Sequence, residues 1–220
     1  MFAAGNVGSE WLLALGAGLL GLMLSPAAEI LIAKCLPRLG GLPGPPVRIT
    51  TAAVTGISCL AFALRLGIAF DFPAFLFLAV VGVQLARIDI SLHLLPNPLV
   101  LMLLAGGLLL FITPAILNRY ADDLLRALAG AVILFGSYLI LGLISPRSIG
   151  MGDVKLAAPI GLYLGYLGWS QLLYGGLLGF ILNGLVTAAL LNKKGRKTVA
   201  EVAHGPSMLG ATAAVTLLLL

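Results

Sequence analysis

The stretch PLVLMLLAGGLLLFITPAIL, residues 98–117, decides the fold class because it contains no charged side chain. A helix of this length is about 30 Å long, which matches the hydrocarbon core of a lipid bilayer. That core offers no water to the backbone amides, so a chain crosses it as a helix or as a strand of a closed barrel. The stretch therefore predicts a transmembrane helix.

The composition of the whole chain points the same way. Of its 220 residues, 60% are hydrophobic and 10% are charged, and the mean hydropathy is +1.12. Soluble domains carry about 25% charged residues, so a soluble globular protein is excluded. The 28 glycines are typical of membrane helices that pack closely. We predict an all-α, polytopic membrane protein that forms a single domain over residues 1–220.

Apolar runs separated by proline, glycine and charged residues predict about eight transmembrane helices. Six runs have the full length for crossing a bilayer, whereas those that begin at Val154 and Pro206 are short. The proline-rich segment Leu36–Val47 is predicted to be a rigid turn. The predicted runs are Trp11–Ala33, Thr50–Phe70, Pro73–Ile90, Pro98–Leu117, Leu124–Ile144, Val154–Trp169, Gln171–Leu191 and Pro206–Leu220.

The 13 basic residues are spread unevenly over the loops. With the N-terminus outside, most of them fall on the inner side, as the positive-inside rule requires. The inner residues are Lys34, Arg38, Arg48, Arg87, Arg147, Lys155, Lys193, Lys194, Arg196 and Lys197, and the outer residues are Arg65, Arg119 and Arg126. Because these residues lie in short loops, the net charge of +5 indicates membrane orientation and contact with anionic lipid, and nucleic-acid binding is not expected.

Two acidic residues lie at the ends of apolar runs, where a charge costs roughly 2.5–3.5 kcal/mol at membrane depth and usually has a function. Asp89 lies in RIDISLHLLPN, residues 87–97, and Asp153 in GMGDVKL, residues 150–156. Two crossings separate them, so both are predicted at the cytoplasmic rim. Paired carboxylates tend to share one proton, which leaves one base and one acid. Such a pair can hydrolyse a peptide bond without a metal or a cofactor.

Simpler roles exist for each acid alone. Asp153 could be the N-cap of the sixth helix. Asp89 could be a rim residue that reaches water or pairs with Arg87. The neighbouring motifs favour catalysis, because Gly150 and Gly152 leave the backbone room beside Asp153. Pro96 and Asn97 break the helix that carries Asp89. Elsewhere, His93 and His204 are predicted at the rim, and Glu29 is predicted to pair with a nearby base or reach water.

At these residues the sequence resembles the type IV prepilin peptidases. Asp89 followed by Pro96-Asn97 is similar to the first catalytic motif of that family. GMGDVKLAAPIG, residues 150–161, resembles its GxGD signature and includes Lys155 at a motif position. HGPSMLG, residues 204–210, is similar to the start of its last helix.

The resemblance implies a multi-pass aspartyl endopeptidase in the bacterial cytoplasmic membrane. Its substrates would be type IV prepilins or pseudopilins, cleaved after a basic leader at the cytoplasmic face, with Asp89 and Asp153 as the catalytic pair. No cofactor or metal is expected, and the oligomeric state is left open. Long members of the family carry a cytoplasmic domain with paired CxxC motifs. Here only Leu36–Val47 occupies that place, so N-methyltransferase activity is not expected.

Two other classes of function compete with this interpretation. A small transporter could use intramembrane acids for ion coupling, although both acids are predicted at one face rather than at the midplane. A non-catalytic subunit of a pilus or secretion assembly would need no acids at all. The paired aspartate motifs argue against it.

Overall fold

The computed structural model describes residues 7–67, 69–118, 121–144, 149–194 and 203–219. These residues form α-helices joined by short connections, together with one 3-10 turn at Pro37–Leu39, and the described ranges contain no strand. The helices are α1 (Val7–Cys35), α2 (Pro45–Leu66), α3 (Phe72–Leu92), α4 (Asn97–Asn118), α5 (Ala121–Ile144), α6 (Met151–Leu167), α7 (Trp169–Lys194) and α8 (Gly205–Leu218). The all-α fold class is confirmed.

Six of these helices, α1 to α5 and α7, are long and apolar enough to cross a membrane. They correspond to the six full-length runs of the sequence. Helices α6 and α8 have 17 and 14 residues. They correspond to the two runs, beginning at Val154 and Pro206, that the sequence predicts to be short. The prediction of a polytopic membrane protein is therefore confirmed.

The start of α2 corrects the predicted turn. Thr50 was predicted to begin the second helix, but α2 begins at Pro45, with Pro45 and Pro46 in its first turn. A first-turn residue has no intrahelical partner for its N–H, so proline is tolerated there and its fixed φ favours the helix. The segment Leu36–Val47 is a turn only in its first part.

Several of the basic residues on which the predicted orientation depends lie outside the described part of the chain. Arg119, Arg147, Arg196 and Lys197 fall in the undescribed segments, and the side chains of Lys193 and Lys194 are not described either. The orientation of the chain stays a prediction.

Contacts group the chain into two units, Met1–Gln84 and Leu85–Leu220, whose boundary falls inside α3. The single domain over residues 1–220 stays a prediction, and each unit is described by itself.

The first unit contains buried polar pairs. Glu29 is 2% exposed and forms a 3.0 Å salt bridge with Nε of Arg48, so it pairs with a base from α2. The Nε2 of Gln84 donates to Oγ of Ser25 at 3.2 Å. Such pairing satisfies groups that would be costly to bury alone. Both cysteines are free; Cys59 is buried and Cys35 is exposed.

In the second unit α5 and α6 approach closely through glycines. A Cβ on Gly130 would lie 2.5 Å from the carbonyl oxygen of Gly161, and one on Gly165 would lie 2.8 Å from the carbonyl oxygen of Arg126. Small residues allow membrane helices to pack backbone against backbone. Arg126 closes the far end of this pair by donating to the carbonyl oxygens of Gly165 and Tyr166 at 2.8 and 2.7 Å. These contacts fix α6, which carries Asp153, against α5.

Candidate active site

Asp89 lies in the last turn of α3 and is 5% exposed. The helix ends at Leu92, and His93 follows with a left-handed φ of +51°. The Oδ2 of Asp89 accepts a hydrogen bond from the backbone N–H of Gly205 at 3.1 Å. A buried, hydrogen-bonded carboxylate disagrees with the alternative of a rim residue that reaches water.

Gly205, the first residue of α8, lies directly against this carboxylate. A Cβ at this position would come within 2.7 Å of Oδ2 of Asp89. Only glycine therefore lets the start of α8 approach closely enough to donate. The resemblance to the prepilin peptidases includes residues 204–210. The contact between Gly205 and Asp89, however, joins residues 116 positions apart, so no local sequence pattern predicts it.

Asp153 lies in the first turn of α6, where Gly150 is the N-cap with extended backbone angles of −71° and 146°. Asp153 is therefore the third helical residue, and the alternative that made it the N-cap is wrong in position. Its carboxylate accepts a hydrogen bond from the backbone N–H of Gly150. This is the reach-back half of a capping box, in which a third-position acid bonds the N-cap amide. A helix-capping role and a catalytic role are compatible here.

Asp89 on α3 and Asp153 on α6 lie within electrostatic range of each other. Each also accepts a hydrogen bond from the backbone of a glycine, Gly205 for the first and Gly150 for the second. The result is a pair of acids held from two sides by main-chain donors, one on α3 and one on α6.

The supporting motif residues join the same two segments. Gly152 faces Leu95, whose Cβ would lie 3.1 Å from a Cβ on the glycine. Lys155 donates from Nζ to Oδ1 of Asn97 at 3.0 Å. Pro96 is buried, and its carbonyl oxygen accepts from the next turn of backbone. The segment after Asp89 is thus fixed against the start of α6 by packing and by a hydrogen bond.

A cleft of about 550 Å³ opens between α4, α5 and α6, with Lys155 and Asn97 among its lining residues and Leu101, Leu104 and Phe135 along its apolar part. Residues two apart on a helix do not share a face. The cleft therefore lies on a different side of α6 from Asp153.

The side chain of His204 is buried, and its position at the membrane rim stays a prediction. It is 9% exposed and its Nε2 is 2.9 Å from the hydroxyl of Tyr138, which is 1% exposed. His93, by contrast, is exposed and close enough to Asp89 to interact with its charge. Within the described ranges no group of three or more His, Cys, Asp or Glu side chains is arranged to hold a metal ion.

Comparison with known proteins decides the family. The sequence profile of the Type IV leader peptidase family matches residues 75–191, which include both aspartates. The chain belongs to this family. The match begins inside α3 and ends inside α7, so it covers the helices that carry and surround the two acids.

The curated relatives match over the same part of the chain. A prepilin leader peptidase/N-methyltransferase of Aeromonas hydrophila is 34% identical over 114 residues, which are 51% of this chain and 39% of the relative. A protein of the same name from Klebsiella pneumoniae is 39% identical over 83 residues, 37% of this chain and 36% of the relative. The matched region spans well under half the length of these relatives. No solved structure matches the chain at a significant level.

Proposed function

We propose that the chain is a membrane-embedded aspartyl endopeptidase that removes the leader peptide from type IV prepilins or pseudopilins, with Asp89 and Asp153 as its catalytic pair. The observation that carries this proposal is the approach of two carboxylates from α3 and α6 inside the region that matches the leader peptidase family. A leader peptidase needs a group that activates water and a group that polarises the peptide carbonyl.

The proposed reaction follows from a pair that holds one proton. The ionised carboxylate takes a proton from a water molecule, and the water oxygen attacks the carbonyl carbon of the scissile peptide. The protonated carboxyl donates a hydrogen bond to the carbonyl oxygen and stabilises the tetrahedral intermediate. The intermediate collapses when the carboxyl that took the proton from water transfers it to the amide nitrogen and the C–N bond breaks, so the pair again holds one proton. The leader leaves with a new carboxylate and the mature protein with a new amine.

The backbone donors support this assignment because they fix both carboxylates without adding a competing side-chain base. Gly205 and Gly150 each supply one N–H to the pair. A main-chain donor is positioned by the fold and does not reorganise during the reaction. Neither metal nor cofactor has a part in the proposed steps.

The proposed location is the bacterial cytoplasmic membrane, with the pair toward the cytoplasm. The uneven distribution of basic residues supports this orientation. The partners would be a prepilin or pseudopilin, whose leader is cut at that face, and the surrounding membrane lipid.

The experiment is reconstitution of the purified chain in lipid vesicles with a prepilin-type substrate. We expect a single cleavage, located by mass spectrometry at the junction between the basic leader and the apolar segment. The matched control is Asp153→Asn in the same vesicles, which keeps the size of the side chain and cannot exchange the proton. Cleavage elsewhere in the substrate, or none with the wild-type chain, would count against the proposed substrate class.

A further inference from the structure

A buried aromatic cluster connects three helices beside the two aspartates. The hydroxyl of Tyr138, on α5, lies 2.9 Å from Nε2 of His204, which precedes α8. Phe180, on α7, stacks on the ring of Tyr138 at 5.0 Å and packs against His204 at 5.2 Å. The three rings therefore hold the start of α8 against α5 and α7.

Packing alone does not account for the polar atoms of this cluster. Phenylalanine at positions 138 and 204 would fill similar space and bury no hydroxyl or imidazole nitrogen. Burying such groups is costly unless they are hydrogen-bonded. The Nδ1 of His204 is itself buried without a hydrogen-bond partner among the described residues. A hydrogen bond retained under these conditions is best explained by what it positions.

The hydrogen-bonded residues Tyr138 and His204 are connected to Asp89 through the backbone. The backbone N–H of Gly205 belongs to the peptide group that follows His204, whose ψ of −29° sets the direction of that N–H. The same N–H donates to Oδ2 of Asp89 at 3.1 Å. Fixing the imidazole ring therefore fixes the donor that holds this carboxylate.

The same two residues are connected to Asp153 through Tyr138. Tyr138 lies near enough to the carboxylate of Asp153 for the two groups to interact electrostatically. Tyr138 is thus the one side chain of the cluster that is close to the second acid and bonded to the residue that positions the first.

We propose that Tyr138 and His204 are positioning residues for the aspartate pair: their hydrogen bond orients the peptide between His204 and Gly205 so that its N–H holds Asp89 in register with Asp153. The inference rests on the proposed function, because positioning has a consequence for rate only if the two acids are catalytic. Neither side chain is required to touch the substrate.

The test compares variants that each remove the polar atoms of one ring. Tyr138→Phe removes only the hydroxyl, and His204→Phe keeps a ring for Phe180 and removes the imidazole nitrogens. We expect each to lower kcat about five- to tenfold with KM unchanged, which corresponds to the loss of one hydrogen bond. Because the two groups act as a unit, the double variant should be no slower than either single variant.

The matched control is Tyr163→Phe, which removes the hydroxyl of another fully buried tyrosine of the same unit, on α6. A second readout is the NMR signal of the ¹⁵N-labelled amide of Gly205. It should shift in Tyr138→Phe and remain in place in Tyr163→Phe. If His204→Phe does not fold, Tyr138→Phe and the amide signal still decide the matter.

Two results separate the failure of this inference from failure of the proposed function. If Tyr138→Phe has the kcat and the Gly205 signal of the wild type while Asp89→Asn is inactive, the positioning role is wrong and the aspartyl mechanism stands. If Asp89→Asn cleaves as fast as the wild type, the proposed function fails, and the positioning role fails with it. A loss of thermal stability in Tyr138→Phe with unchanged kcat would show a structural role only and would also overturn the inference.

Discussion

Replacing Gly205 with alanine tests how the structure holds Asp89. The added Cβ would lie 2.7 Å from Oδ2 of Asp89 and 3.4 Å from Leu156. Ordinary contact with a Cβ begins at 3.4 Å, so the carboxylate or the start of α8 must retreat by the difference, about 0.7 Å. Starting from 3.1 Å, the N–H···O distance would then exceed the limit for a hydrogen bond.

The expected loss follows from that bond. A hydrogen bond to a charged group contributes about 1.5–3 kcal/mol, and each 1.36 kcal/mol is about tenfold in rate. We therefore expect Gly205→Ala to lower kcat about 10- to 100-fold. The substitution leaves the chemistry of both acids intact, so some cleavage should remain.

The assay is cleavage of a prepilin-type substrate in vesicles, with kcat and KM determined for each variant. Gly210→Ala is the matched control, because Gly210 lies on the same helix and nothing lies within 4 Å of its added Cβ. Alanine at that position should favour the helix slightly and leave kcat unchanged. A Gly205→Ala enzyme as fast as the Gly210→Ala control would refute the argument that this N–H positions Asp89.

Two further predictions concern packing and the range of activities. Gly130→Ala should lower the thermal unfolding temperature of the detergent-solubilised protein, because its Cβ would meet the carbonyl oxygen of Gly161 at 2.5 Å. Gly136→Ala on the same helix is the control and should leave that temperature unchanged, because its Cβ meets nothing within 4 Å. Equal effects of the two substitutions would argue against the close approach of α5 and α6. The chain supplied with a methyl donor should cleave without methylating the new N-terminus, and a mass increase of one methyl group on the mature product would contradict this prediction.

The sequence predicts that the two aspartates lie at the same face of the membrane, and this prediction depends only on counting crossings. Apolar runs of full length mark the crossings, and two crossings between Asp89 and Asp153 return the chain to the same side. In the structure the two acids lie within electrostatic range of each other. Helix ends were less accurate. Pro45 begins α2, although proline is usually taken as the mark of a turn.

Contacts between distant residues could not be predicted from one sequence. Tyr138 and His204 are separated by 66 positions, and no periodic pattern in the sequence indicates that their side chains face each other. Arg126 looked like a loop residue that marks orientation, yet it donates to the last carbonyl oxygens of α6. Such pairings arise from how the helices pack, which local propensity does not encode.

The central claim is that Asp89 and Asp153 act as one catalytic unit, and the most direct measurement is the single-turnover cleavage rate of Asp89→Asn, Asp153→Asn and the double variant. Asn retains the size and the hydrogen-bonding capacity of Asp, and it caps a helix about as well. If the aspartates had only a structural role, the substitution would therefore leave the cleavage rate nearly unchanged. Asp122→Asn, at an exposed acid in the first turn of α5, is the control and should cleave like the wild type. We predict that each single variant loses cleavage and that the double variant is no worse. Full cleavage by either single variant, in protein that remains folded in the membrane, would contradict the aspartyl mechanism.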